Sequence, residues 1–148
     1  MQLVRVRKTA YIDTSVWCAF AFNERETPGA ALWLAELDMD LAASSAWARA
    51  EFYSASQVKV RNKGETQAGV NRAAKAFETA YAMAHGLRVM EADFEHASQL
   101  CRAVRNLRAG DALHLAIATR HGCTALASLD KDMNQAAKAA GLELIAFE

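Results

Sequence analysis

Thr9-Ala10-Tyr11-Ile12-Asp13-Thr14-Ser15 is the stretch that decides the fold. A short, mostly apolar strand runs directly into residues whose side chains cap helices well. The reading is a β-strand delivering into a helix over about 16–22, the opening of a βα unit. Working outward, a polar loop through Asn23 and Thr27 leads to Pro28, the only proline and a residue suited to a helix start. That second helix is predicted to reach Asp38.

The alternation then repeats. Residues 41–43 form a brief strand, and Ser44 or Ser45 caps a long helix through Trp47, Glu51, Ala55 and Val58 towards Lys63, broken by Gly64. Over 65–84, Val70, Ala73, Ala74, Phe77, Ala80, Tyr81 and Ala84 recur at helical spacing, with Gly86 as the residue just past the end. Residues 87–90 read as a strand. The next helix carries Phe94, Ala97, Leu100, Cys101 and Val104 and ends before Gly110; Asp111 opens another, with Leu113 and Ile117 on its buried side and Gly122 as its stop. A strand at 124–128, a helix at 131–140 stopped by Gly141 and a last strand at 142–146 complete the chain. Strands alternating with helices imply an α/β fold with a central, mostly parallel sheet, because parallel neighbours need crossover connections and the helices supply them.

At 148 residues the expectation is one domain spanning the whole chain, with its core at about 9–145. A chain of this length buries roughly 70% of its unfolded surface and needs no disulfide to hold it. Lys and Arg number 17, as do Asp and Glu, so no global field draws in nucleic acid or an anionic membrane. Any RNA contact must rest on local basic runs: Lys59, Arg61 and Lys63, joined by Arg72 and Lys75, or Arg102, Arg105 and Arg108 at i, i+3, i+6. A solvated helix face is the plainer reading of both. Cys18, Cys101 and Cys123 lie apart in apolar surroundings and read as reduced core residues of a cytoplasmic protein. The basic start, residues 1–8, is not followed by a leader-like apolar run, and no window approaches the ~20 apolar residues of a membrane helix.

Function enters with the acids. In an open parallel sheet the binding crevice lies outside the carboxyl ends of the strands. Asp13 follows the first strand and Asp130 the strand at 124–128, so both belong to one edge, while Asp111 begins a helix and Glu51 lies within one. Carboxylates without thiolate or imidazole partners suit hard cations, Mg²⁺ or Mn²⁺ above Zn²⁺. Each residue also has a plainer reading. Asp13 and Asp130 serve as N-caps, Asp111 as a favourable charge at a helix start, Glu51 as a surface partner for Arg49, and His114 as a packed, hydrogen-bonded histidine.

Four segments in order, Tyr-Ile-Asp-Thr-Ser at 11–15, Ala-Arg-Ala-Glu-Phe at 48–52, Gly-Asp-Ala-Leu-His-Leu-Ala at 110–116 and Ser-Leu-Asp at 128–130, resemble the successive acidic motifs of PIN domains. In particular they are similar to the VapC-type toxin ribonucleases of toxin-antitoxin pairs. The resemblance implies a PIN-like α/β domain in which Asp13, Glu51, Asp111 and Asp130 hold one or two Mg²⁺ or Mn²⁺ ions, with Asp132 as an alternative to Asp130. Thr14, Ser15 and Ser128 orient those carboxylates from behind, with His114 as a further candidate for that role. It also implies hydrolysis of RNA phosphodiester bonds by a metal-activated water, leaving 5′-phosphate and 3′-hydroxyl ends, a cognate antitoxin as partner, and a homodimer. The helices at 28–38, with Trp33, Leu34 and Leu37, and at 44–63, with Trp47, Phe52 and Tyr53, are the candidate walls of the antitoxin groove, or else simply core.

Other classes fit less well. A haloacid-dehalogenase-like phosphatase needs a second Asp two residues after Asp13, where this chain has Ser15. A dinucleotide-binding turn needs glycines, and residues 13–22 contain none. The rival that survives is a non-catalytic PIN-like module that binds RNA or protein without cutting.

Overall fold

The computed structural model describes residues 8–25 and 27–147; of the basic start at 1–8, only Lys8 is among them. Five strands, β1 (Ala10–Ile12), β2 (Ala42–Ser45), β3 (His85–Leu87), β4 (Ala125–Ala127) and β5 (Glu143–Leu144), form one sheet in the order β3-β2-β1-β4-β5. Every neighbouring pair is parallel, so the expected mostly parallel sheet is wholly parallel among the described residues. The helices are α1 (Thr14–Ala21), α2 (Pro28–Glu36), α3 (Ala46–Arg61), α4 (Gln67–Tyr81), α5 (Glu91–Ala103), α6 (Ala109–Arg120) and α7 (Lys131–Ala139). None is long and apolar enough to cross a membrane.

Helices on both faces explain why β1 and β4 are buried at every position rather than alternately. Successive side chains of a strand point to opposite faces. Tyr11 and Leu126 accordingly join a core with Leu113, Leu115, Ile117 and Met133, while Ile12 and Ala127 join a second core with Val16, Trp17, Phe52 and Phe77. In the second, the Phe52 and Phe77 rings stack with centroids 4.0 Å apart and Trp17 meets Phe77 edge-on at 5.3 Å. Leu34 and Phe52 of the expected groove walls are part of this core.

Several boundaries differ from the sequence reading, each for a local reason. α1 begins at Thr14, not Val16, because the Asp13 carboxylate accepts from the Val16 amide. Ser44 and Ser45 lie in β2, and Ser45 caps α3 as it leaves the strand. α3 stops at Arg61 because Lys63 takes a left-handed φ of 58°, so Gly64 is not the breaker. α4 ends at Tyr81, and Gly86 is a residue of β3 instead of a helix stop. The strand expected at 87–90 is displaced to His85–Leu87. The Asp93 carboxylate accepts from the Met90 amide at 2.8 Å and makes Met90 the N-cap of α5.

α5 ends at Ala103, so Arg102, Arg105 and Arg108 do not form a stripe on one helix; Arg108 is the N-cap of α6. Gly110 lies inside the first turn of α6 and does not precede the helix. α6 is buried from Ala112 to Ala118 on all sides, not one, because it is packed against α5 and α7 as well as facing the sheet core. The three cysteines are free thiols, Cys18 and Cys123 buried.

Candidate active site

The chain steps from β1 to β2 on one side and later returns to β4 on the other. The strand order therefore reverses between β1 and β4, and a crevice opens at their carboxyl ends. Asp13 stands there, 4% exposed. Its amide extends the ladder to the Ala127 carbonyl at 3.1 Å. One carboxylate oxygen accepts from Ser15 Oγ at 2.6 Å and the Val16 amide at 3.2 Å, and the other from Ser128 Oγ at 2.5 Å. The same hydroxyls tie the two strand ends together, since Ser15 Oγ accepts from the Leu129 amide and Ser128 Oγ from the Asp130 amide. Burial pushes the Asp13 carboxyl above its ordinary range, against the pull of these hydrogen bonds. Asp13 is thus both the N-cap of α1 and a buried acid at the crevice.

Glu51 comes from the second turn of α3 and is half-buried. Its Oε1 accepts from Thr14 Oγ1 at 2.7 Å and pairs with His114 Nε2. Burial favours the neutral acid, but the His114 contact and the Thr14 hydroxyl outweigh it and hold Glu51 below its ordinary range. The alternative partner, Arg49, is engaged with Glu78 at 2.8 Å instead. His114 is 1% exposed, and its Nδ1 lies 2.6 Å from the Tyr11 hydroxyl, which lies 2.8 Å from Ser45 Oγ.

Asp111 sits in the first turn of α6, half-buried, and its pKa is raised from 3.8 to about 6. Burial is the main cause, followed by the negative charge of Asp130, with smaller contributions from Glu51 and Asp13 that His114 partly offsets. Asp130, and not Asp132, is thus the acid of the last motif that acts most strongly on Asp111. Asp130 also caps α7, accepting from the Met133 amide at 2.8 Å. Asp132 is exposed in the first turn of α7. Among the described residues no Lys or Arg pairs with any of the four acids.

Gly110 lets Glu51 approach the first turn of α6, one residue before Asp111. A Cβ at position 110 would lie 3.1 Å from Glu51 Oε2 and 3.4 Å from the Trp47 ring, and Trp47 Nε1 donates to the Gly110 carbonyl at 3.1 Å. The acids are accompanied by hydroxyl oxygens and by the His114 imidazole, which is turned to Glu51 and offsets only part of the charge around half-buried Asp111; so oxygen-rich a set is chemistry suited to a hard divalent cation. Among the described residues no three His, Cys, Asp or Glu side chains are drawn together into a coordinating group.

Of the basic residues, Lys59 pairs with Glu24 at 3.4 Å and sits over the Phe22 ring, and it lies two turns along α3 from Glu51, about 12 Å. Arg61, Lys63, Arg72 and Lys75 are exposed beyond it, as are Arg102 and Arg105; exposed Arg108 is within one turn of Asp111. Sequence reasoning assigned no part in the site to Tyr11 or Gly110, and read Ser45 only as a possible cap of the helix that became α3. A tyrosine in a strand buried on both faces was the available signal, since its hydroxyl needs a partner. It also missed an open apolar cleft of about 510 Å³ lined by Trp47, Phe94, Ala97, Cys101 and Leu113 beside Gly110.

A wholly parallel sheet with Asp13 and Asp130 just past the carboxyl ends of β1 and β4, at its switch point, defines a small α/β domain with a candidate acidic site. The model of the PIN domain matches residues 10–139, and the chain belongs to that family. No curated protein matches the sequence significantly. Among solved structures it is similar to VapC20 of Mycobacterium tuberculosis, described as a sarcin-ricin loop cleaving toxin, at 20% identity and TM-score 0.64, covering 90% of this chain and 96% of that one. It is also similar to FitAcB of Neisseria gonorrhoeae, at 16% identity and TM-score 0.67, with 93% and 97% covered. A toxin-antitoxin complex of Klebsiella pneumoniae aligns at 18% identity and TM-score 0.64, again over 93% and 97%. At these identities the likeness is one of fold.

Proposed function

We propose that this protein is a divalent-metal-dependent endoribonuclease, the toxin of a toxin-antitoxin pair. The observation that carries the reading is Asp111: it stands half-buried near Asp130, Glu51 and Asp13, its carboxyl raised to about 6 by burial and by their charge, with His114 offsetting only part of this and no Lys or Arg paired with any of the four acids among the described residues. Asp13, Asp111, Glu51 and Asp130 would hold an Mg²⁺ or Mn²⁺ ion, which would supply the missing positive charge and Lewis-acid chemistry for phosphodiester hydrolysis. The chain's own contribution is orientation. Ser15 and Ser128 fix both oxygens of Asp13, and Thr14 and His114 fix Oε1 of Glu51, leaving Oε2 without a donor among the described residues. Arg108, beside Asp111, is the basic residue best placed to meet an RNA phosphate; Lys59, Arg61, Lys63, Arg102 and Arg105 lie further out and extend that contact only along a longer strand.

The similar structures described as a toxin and as a toxin-antitoxin complex support RNA as substrate and an antitoxin as partner. A cation carried by that antitoxin would meet the same unrelieved acids. The apolar cleft between α3, α5 and α6, with Phe94 55% exposed at its rim, is the surface that supports a homodimer. The cytoplasm is the compartment this assignment requires.

The test is a calorimetric Mn²⁺ titration of the wild type beside Asp13→Asn, followed by end-group analysis of cleaved RNA. Saturable binding lost in the variant, and 5′-phosphate with 3′-hydroxyl products, are expected. Cyclic phosphate ends would refute the metal-water route, and absence of binding and cutting would leave a PIN-like binding module.

A further inference from the structure

Behind the acids a chain of hydrogen bonds runs from Glu51 through His114 to Tyr11 and Ser45, two buried residues that the cleavage chemistry does not itself use. Ser45 and Tyr11 are 0% exposed and His114 1%, so each polar atom there must find its partner within the protein. The donors can be assigned by counting protons. The Glu51 carboxylate only accepts, so Thr14 Oγ1 and His114 Nε2 both donate to its Oε1. With the imidazole proton on Nε2, Nδ1 is an acceptor, and the Tyr11 hydroxyl 2.6 Å away must donate to it. The Tyr11 oxygen is then free to accept from Ser45 Oγ at 2.8 Å, and Ser45 Oγ accepts in turn from the Ala48 amide at 3.4 Å. Every proton has one acceptor. The reverse assignment, with a proton on Nδ1, turns the Tyr11 hydroxyl towards Ser45 and leaves the Ser45 proton without an acceptor in a fully buried place.

We propose that Tyr11 is a positioning residue for the candidate active site: by donating to Nδ1 its hydroxyl reinforces the Nε2–H tautomer that Glu51 selects and fixes the His114 ring, whose Nε2–H pins Oε1 of Glu51 and keeps Oε2 turned towards Gly110. The Glu51 carboxylate selects the proton on Nε2 and Tyr11 supplies the donor that the bare Nδ1 then needs, and Oε2 lies 3.1 Å from the place a Gly110 Cβ would take. Tyr11 touches neither the acids nor the crevice; it acts through His114. Its consequence for metal binding rests on the nuclease reading above, whereas its hold on His114 does not.

The experiment has two arms. The imidazole nitrogens of His114 are read by ¹⁵N NMR in the metal-free full chain at neutral pH, with His114→Gln identifying the signals. A bare Nδ1 and a protonated Nε2 are expected, with Tyr11→Phe moving the Nδ1 signal as that nitrogen loses its donor. A protonated Nδ1 in the wild type, or a spectrum unchanged by Tyr11→Phe, overturns the proposal. In the second arm Mn²⁺ binding is measured for Tyr11→Phe, His114→Gln and the double variant. Tyr11→Phe alone should weaken binding by about 10-fold, as loss of a supporting hydrogen bond typically does. The glutamine amide donates to Glu51 whatever Tyr11 does, so the second substitution should add no loss in that background. An undiminished loss there means that Tyr11 supports the fold and not His114. If the wild type binds no Mn²⁺, the nuclease reading fails and the nitrogen spectrum alone decides the role of Tyr11.

Discussion

Replacing Asp111 by Asn should stabilise the metal-free protein at neutral pH while abolishing its response to metal. Asp111 is raised from 3.8 to about 6, so the ionised form is disfavoured in the fold by about 3 kcal/mol at 1.36 kcal/mol per pKa unit. The group is half-buried, and solvent screening reduces this to roughly 1–2 kcal/mol. The sign follows from proton counting. Between about pH 4 and 6 the folded state holds a proton that the unfolded chain has released, so wild-type stability falls as pH rises through this window and the penalty is complete above it. Asn carries no such penalty. The variant should therefore unfold about 2–8 °C higher than wild type at pH 7.5 in EDTA, and the gap should close below pH 4. Saturating Mn²⁺ should reverse the order by stabilising only the wild type, by about 2.7 kcal/mol at 100 times Kd. Thermal and urea unfolding across pH, with and without Mn²⁺, measure all of this. A variant less stable than wild type at pH 7.5, or a gap independent of pH, would refute the account of Asp111 as an unrelieved charge.

Three further outcomes are expected. Gly110→Ala places a Cβ 3.1 Å from Glu51 Oε2; the helix gain of about 1 kcal/mol offsets much of the crowding, so calorimetry should show weakened Mn²⁺ binding with little change in melting temperature. Asp130→Ala should cost about 1 kcal/mol as a lost N-cap and shift the acid limb of Asp111 to lower pH, whereas Asp132→Ala should do neither, as NMR titration of the Asp111 carboxyl will show. Phe77→Ala removes a ring stacked on Phe52 at 4.0 Å and touched by Trp17, and should cost about 3–5 kcal/mol in urea unfolding; a loss below 1 kcal/mol would mean that the core collapses to fill the gap.

The alternation of strands and helices was legible along the chain, because apolar runs of strand length and helical stripes are local signals that persist whatever the chain packs against. So was the place of Asp13 and Asp130 at strand ends, since a cap residue after a strand is written in neighbouring positions. The rest depends on residues remote in sequence. Gly110 looked like a helix stop, yet it is glycine because Trp47 and Glu51, about sixty positions earlier, press against it. The strand at 87–90 moved to His85–Leu87 because pairing with β2 begins at His85 and Asp93 takes Met90 as its cap. The choice of Asp130 over Asp132 as the neighbour of Asp111, the engagement of Arg49 with Glu78 and the hydrogen bonds joining Tyr11 to Glu51 all arise where separate elements meet. Hydrogen bonds and charge repulsion act over a few ångströms of space, and distance along the chain does not measure that space until the sheet has closed.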